Sequence, residues 1–341
     1  LKPYYETKLG KLYHGDWLNN SLPDKCANLI ICDPPYYKVK GSFDFKWTSF
    51  NDYLADVLLW ANECKRVLAD NGTLFWWGNS KKIAYSQIIL DKLFHLENVM
   101  VWRKSDSIQY QYYSVDLSRC FNTHNERLLM YSNDFEPSDW NKTGTERIHE
   151  EFLKPKNPFS LYLKEEFKKA GVTRKEIALL FPSRTGNPTG CVSNWLNGDN
   201  VITKEQYLKI RAHLNGEYLR VEYEDLRVEY EDLRVEYEDQ RRYFNNTLKL
   251  EEVLTYSQDS KVSKKYKHDT IKSIELTRAL VLTCSKPGDT IVVPFVGSGT
   301  ECCASDCENR KYYGYETEPQ YCEIAAKRLE QETSQLKLFA G

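Results

Sequence analysis

The residues best suited to chemistry lie in two short stretches near opposite ends of the chain. Asp33-Pro34-Pro35-Tyr36 follows the apolar run Asn28-Leu-Ile-Ile-Cys32. Prolines end ladder pairing, so the run reads as a strand stopping at an acidic turn. Open α/β sheets carry their sites at such strand ends. Pro294-Phe295-Val296-Gly297-Ser298-Gly299-Thr300 likewise sits between a strand and a helix. Glycines there let backbone amides approach a ligand at the helix N-terminus, although a purely structural turn uses the same residues. Glu316 ends the following strand in Tyr313-Gly-Tyr-Glu316, where a carboxylate can accept hydrogen bonds from a ribose. Each feature alone also suits a turn or a cap. Their order along the chain is specific.

The elements that must position these residues are α/β in rhythm. A helix is expected over 49–69, from the spacing of Tyr53, Val57, Leu58, Trp60, Ala61, Cys64 and Leu68. Asp70-Asn71-Gly72 turns into a strand over Thr73–Trp77, followed by a helix near 80–93 and strands near 96–102 and 127–131. The rhythm resumes with a helix over 270–284, the strand Thr290–Val293, a helix over 300–308, the strand Tyr312–Glu316 and a final helix from Pro319. Such alternation at both ends predicts a mainly parallel sheet with helices on both faces.

The middle breaks the pattern. Thr173-x-x-Glu176 and Thr203-x-x-Gln206 are capping boxes that open short helices, with another helix over Cys191–Leu196 between them. The group resembles a helix-turn-helix, although Pro182 to Pro188 is a long turn for that motif. Leu-Arg-Val-Glu-Tyr-Glu-Asp is then repeated three times over 219–239. With Leu219, Leu226 and Leu233 at d and Tyr223, Tyr230 and Tyr237 at a, it predicts one heptad-repeat helix over 217–244. That helix should pack on its own chain or on a second copy.

Charge follows the same division. The 341 residues carry a formal −2, but each repeat copy holds one Arg and three acids, so the block carries −6 and the rest +4. From Asn141 to Tyr218 there are 13 basic residues against 9 acidic, and from Gln240 to Lys272 there are 8 against 4. Basic flanks suit a surface that meets phosphates, and equally an ordinary solvated one. Hydrophobic residues make up 41%, which excludes a disordered chain. No apolar run reaches the ~18 residues of a membrane span. The ten cysteines include no C-x-x-C pair and no zinc-ligand spacing, so a reduced, cytoplasmic protein without metal is expected. The chain opens on Leu1 rather than methionine, so residues ahead of it are expected to be missing.

Taken together, D-P-P-Y, a middle insertion, then P-F-x-G-x-G-T and G-x-E resemble the β-class amino-methyltransferases of DNA. Gly15-Asp16 is similar to that family's G-D element, and Asn122-Thr-His-Asn-Glu126 to its N-T-H-E segment. His268-Asp-Thr-Ile-Lys272-Ser-Ile-Glu275-Leu276 is similar to its H-P-T-x-K-P-x-E-L stretch. The likeness covers both flanks. Val293 departs from a frequent Asp, and Asp269 and Ser273 from two usual prolines.

The resemblance implies a Rossmann-like catalytic domain over 1–133 and 266–341, with a mostly helical target-recognition domain over 134–265. It implies S-adenosylmethionine as cofactor and transfer to the N6 of an adenine flipped from double-stranded DNA. Asp33 and the Pro34 carbonyl would accept the amine hydrogens, Tyr36 would stack on the base, and Pro35 would complete the turn. Asp16 would bind the cofactor's adenine and Glu316 its ribose. Phe295 and the turn of Pro294, Gly297, Ser298, Gly299 and Thr300 would hold the adenine and methionine portions. Asp33, Thr270, Lys272 and Ser273 would border the same pocket. Arg174, Lys175, Arg184, Asn194, Lys264 and Lys265 are the candidate DNA contacts. The family also leaves room for a homodimer and a cognate restriction endonuclease. Alternatives are an N4-cytosine enzyme, an N-methyltransferase of RNA or protein glutamine, and a DNA-binding module that has lost catalysis. Cytosine C5 chemistry is disfavoured, because no cysteine follows a proline.

Overall fold

The structure is a computed structural model. It describes residues 2–339 except 40–41, 106–124, 134–148, 185–186, 259–264 and 267–270; the side chains of 42, 43, 151 and 332–339 also lie outside the description. The chain divides into two compact units, residues 1–140 with 242–341, and residues 141–241.

In the first unit the strands alternate between two cores. Leu29 and Ile31 of β3 (Ala27–Cys32) enter one core, and Ile30 and Cys32 enter the other. Phe75 and Trp77 of β4 (Leu68–Gly78) separate from Leu74 and Trp76 in the same way. Burial on both faces is why these strands read as continuous apolar runs in the sequence. Helices α1 (Phe50–Val67) and α2 (Ile83–Leu90) cover one face. The other is covered by α8 (Ile274–Cys284), α9 (Thr300–Cys307) and α10 (Pro319–Phe339).

The remaining strands are β1 (Pro3–Glu6), β2 (Gly10–His14), β5 (His95–Lys104), β6 (Asn125–Ser132), β7 (Val253–Tyr256), β8 (Thr290–Val293) and β9 (Lys311–Glu316). The described strands form one sheet in the order β1-β2-β9-β8-β3-β4-β6-β5-β7. Pairing from β2 through β4 is parallel, whereas β6 is antiparallel to both of its neighbours. Two departures from the sequence reading stand out. The β1–β2 hairpin was not anticipated, and it adds β2 in parallel beside β9. Residues 242–256, expected in the insertion, belong to the first unit, because β7 pairs with β5 and the Asn245 N–H donates to the Thr283 carbonyl at 2.8 Å.

The second unit is helical: α3 (Pro158–Ala170), α4 (Arg174–Ala178), α5 (Cys191–Asn197), α6 (Lys204–His213) and α7 (Tyr223–Gln240). Both expected capping boxes form, Thr173 with Glu176 and Thr203 with Gln206. Phe159, Leu163, Trp195, Ile210 and Tyr223 meet in its core. The repeat helix is shorter than its pattern suggests. Leu219 adopts φ +56°, and its N–H donates to the buried Glu166 carboxylate at 2.9 Å. The Val221 N–H reaches the Tyr162 hydroxyl at 3.1 Å, and its carbonyl accepts from the Tyr207 hydroxyl at 2.8 Å. These bonds hold the first four residues of the first copy in an irregular path, so the helix begins at Tyr223. Along it Tyr223, Leu226 and Tyr237 are buried, while Val228 and Val235 are exposed. The Tyr/Leu stripe therefore packs on its own chain, with Phe159 against Tyr223 at 5.2 Å.

Truncating Glu166 to Ala leaves the buried Leu219 N–H without an acceptor, which costs about 1–3 kcal/mol. The expected outcome is a lower urea midpoint for the second unit's transition; an unchanged midpoint would show that the first repeat is not held by this bond.

Candidate active site

Pairing of β3 with β8 brings the two chemistry-bearing stretches together. Leu29 stands opposite Ile291 and Ile30 opposite Val292 in parallel register, so Asp33 and Pro294 emerge from the same sheet edge. The chain leaves β3 toward β4 and leaves β8 toward β9, so the strand order reverses between them. Such a reversal opens a crevice beyond the carboxyl ends of the strands.

The glycine turn lines one side. Gly297 and Gly299 have φ of +49° and +86°, and a Cβ on Gly299 would stand 2.9 Å from the Ala325 Cα. The Gly297 N–H donates to Glu316 Oε2 at 2.7 Å and the Glu318 N–H to Oε1 at 2.9 Å. Burial pushes the Glu316 carboxyl up against the opposing pull of these amides. Arg328 on α10, fully buried, donates through one nitrogen to the Ser298 carbonyl (3.0 Å), Ser298 Oγ (3.1 Å) and Thr300 Oγ1 (2.8 Å). The hydroxyls of Ser298 and Thr300 thus brace the turn. Phe295 is half-buried with its ring edge-on to Trp60 at 4.9 Å. Asp16 is exposed at the end of β2 and accepts from the Leu18 N–H at 2.9 Å, while the Gly15 N–H donates to the Glu316 carbonyl at 2.8 Å.

On the other side runs a chain of alternating charges. Lys272 Nζ, 5% exposed, lies 2.7 Å from Asp33 Oδ2 and 2.8 Å from Glu126 Oε2, and Lys104 Nζ lies 2.6 Å from Glu126 Oε1. The Tyr36 hydroxyl donates to Asp33 Oδ1 at 2.5 Å, and its backbone N–H to Asp44 Oδ1 at 2.5 Å. Burial would raise Glu126, but the Lys272 and Lys104 charges outweigh it and pull the carboxyl down to about 2. Burial wins at Asp33: Lys272 opposes it, Glu126 reinforces it, and the carboxyl is raised. A raised carboxyl is the more basic acceptor, the property a group taking hydrogen bonds from an amine needs.

The sequence candidates distribute unevenly. Asp33, Tyr36, Lys272, Gly297, Gly299 and Glu316 lie along the carboxyl edge of the sheet. Lys272, expected to border the cofactor pocket, binds Asp33 and Glu126, and Ser273 caps α8 by accepting from the Leu276 N–H at 3.3 Å. Arg174, Lys175, Arg184 and Asn194 are exposed in the second unit. Lys265, in the first, donates to Gln331 at 2.7 Å. Thr270 and Lys264 lie outside the described residues, as do Asn122 to His124, His268 and Asp269. Glu126, Lys104 and Arg328 were not identified as site residues. Glu126 had a signal in ending the Asn122–Glu126 segment before an apolar strand; Lys104 and Arg328 had none.

Replacing Lys272 with Met leaves two carboxylates facing Lys104 alone, and breaking a buried pair costs about 3–5 kcal/mol. Because the folded Glu126 is depressed, its stabilisation is present above the ordinary carboxyl range near 4.5 and is lost as pH falls toward 2. The loss in Lys272→Met should therefore be large at pH 7 and shrink as pH drops below 4.5, measured by guanidinium denaturation. A pH-independent difference would contradict it.

Comparison with known proteins places this geometry in a family. M.BamHI, a type II methyltransferase of Bacillus amyloliquefaciens, is 36% identical over 103 residues, which are 29% of this chain and 24% of that protein. The DNA adenine methyltransferase YhdJ of Escherichia coli is 22% identical over 334 residues, 94% of this chain and 82% of its own length. The fold resembles PvuII DNA methyltransferase (cytosine-N4-specific), with TM-score 0.53 and 14% identity over 98% of this chain and 95% of that one. Residues 27–327 match the N6/N4 model described as DNA methylase. Since this match spans most of the chain, from β3 before Asp33 to α10 beyond the glycine turn, the chain belongs to the N6/N4 DNA methylase family.

Proposed function

We propose that this protein methylates the exocyclic N6 of an adenine flipped out of double-stranded DNA, using S-adenosylmethionine and direct displacement. The observation that carries the reading is the parallel β3–β8 pairing, which sets the Asp33 turn beside the glycine turn.

The residues fit the cofactor. Two glycines without side chains leave the turn's backbone approachable, and the buried Glu316 carboxylate keeps lone pairs for ribose hydroxyls beside its two amide bonds. When bound, S-adenosylmethionine supplies a methyl group on a positively charged sulfur. The protein's contribution is orientation and electrostatics. The adenine amine is a weak nucleophile because its lone pair is delocalised into the ring. Asp33 and the Pro34 carbonyl accept its hydrogens and localise that pair. Lys272 fixes Asp33 through Oδ2, leaving Oδ1, now bonded to Tyr36, as the oxygen that turns to the amine. Tyr36 releases it on swinging to stack against the flipped base. Residues 141–241, with Arg174, Lys175, Arg184 and Asn194 exposed, supply the target-recognition surface in this reading.

Adenine is favoured over cytosine by the D-P-P-Y sequence and by the adenine activity named for YhdJ. The N4-cytosine activity named for the PvuII enzyme supports the second reading. Mass spectrometry of nucleosides from methylated duplex DNA should find N6-methyladenine; N4-methylcytosine alone would overturn the choice. Asp33→Ala should lower the rate at least about 10²-fold. Tyr36→Ala should lower it about 10–100-fold, the value of one stacked base, while Tyr36→Phe keeps most activity.

A further inference from the structure

Glu301 takes no part in the chemistry above, yet it is a buried carboxyl beside the glycine turn. It is the only acidic residue between Asp289 and Asp306, in the first turn of α9 directly after the glycine turn. It is 4% exposed, and its Oε1 is buried with no hydrogen-bond partner among the described residues. A buried carboxylate oxygen without a partner carries a large desolvation cost, so such groups are normally paired. The two cations that act on it are engaged elsewhere: Lys272 with Asp33 and Glu126, and Arg328 with Ser298 and Thr300. The charges acting on Glu301 are those of Asp33 at the end of β3, Lys272 ahead of α8 and Arg328 on α10. Burial first, then Asp33, pushes its carboxyl up to about 7, against the weaker pulls of its own backbone N–H, Lys272 and Arg328. It is therefore poised between its neutral and charged forms near neutral pH.

We infer that Glu301 is the counter-charge for the sulfonium of the cofactor, ionising when that cation arrives. The inference rests on the proposed use of S-adenosylmethionine and deepens it. A positive sulfur near Oε1 would give the orphaned oxygen its partner, and the N-terminal turn of α9 favours the anion that results. The carboxyl proton passes to the buffer. The neutral thioether product, S-adenosylhomocysteine, draws out no such proton, so product release is favoured by the same group.

Titration calorimetry of the full chain with each ligand, in two buffers of different ionisation heat, tests this. At pH 6 the wild type should release a large fraction of one proton on binding S-adenosylmethionine and none specific to S-adenosylhomocysteine. The affinity ratio of the two ligands should rise about tenfold from pH 6 to pH 8, as the ionised fraction climbs from roughly a tenth to nine tenths. In Glu301→Gln the ratio should be flat and about tenfold lower at pH 8. Equal weakening of both ligands, or a proton release retained in the variant, overturns the sulfonium assignment. The wild-type proton count needs no variant, so equal release with both ligands also refutes it. Binding of neither ligand removes the cofactor reading and this inference with it.

Discussion

Parallel pairing of β3 with β8 is the constraint on which the site depends. Some 260 residues separate the two strands in sequence, and only the sheet makes them neighbours. Once they pair, everything attached to their carboxyl ends converges: the Asp33 turn, the glycine turn, and through β9 the Glu316 carboxylate. The reversal of strand order at this point keeps crossover chains out of the crevice, which is why open sheets bind ligands there. The apolar runs of both strands serve this pairing by filling two cores at once.

A second layer of order is electrostatic. Asp33, Lys272, Glu126 and Lys104 come from four separate segments and alternate in sign along a chain that is buried at Lys272 and half-buried elsewhere. Ion pairs of this kind add little net stability, because desolvation offsets most of their attraction, but losing one partner leaves a charge stranded. Their effect is positional: Lys272 holds one oxygen of Asp33, and the Tyr36 hydroxyl meets the other. Arg328 does the corresponding task for the glycine turn, through three acceptors on Ser298 and Thr300.

The repeat shows how far local sequence leaves conformation open. Three identical heptads occupy two kinds of structure: the first copy follows an irregular path over Leu219–Glu222 before entering α7, and the next two lie wholly within it. Their intrinsic propensities are the same, so the difference comes from partners. Glu166, Tyr162 and Tyr207 offer the first copy hydrogen bonds that an uninterrupted helix would forgo. The short β7 was hidden for a similar reason, since four residues carry too little pattern and only pairing with β5 makes them a strand.

By itself, the sequence determined the class of the fold and singled out the candidate residues at its strand ends. Burial on both sheet faces writes long apolar runs, prolines and glycines mark where strands must stop, and Asp33, Tyr36, Gly297 and Glu316 sit at those stops. Tertiary structure alone decided the partners. That Lys272 turns to Asp33 and Glu126, that Lys104 pairs with Glu126 and Arg328 with the glycine turn, and that Glu301 is buried with an oxygen lacking a partner among the described residues depend on distances between segments far apart in the chain. A charged side chain looks the same in sequence whether solvated or buried; the energy of its placement is set by neighbours that only folding supplies.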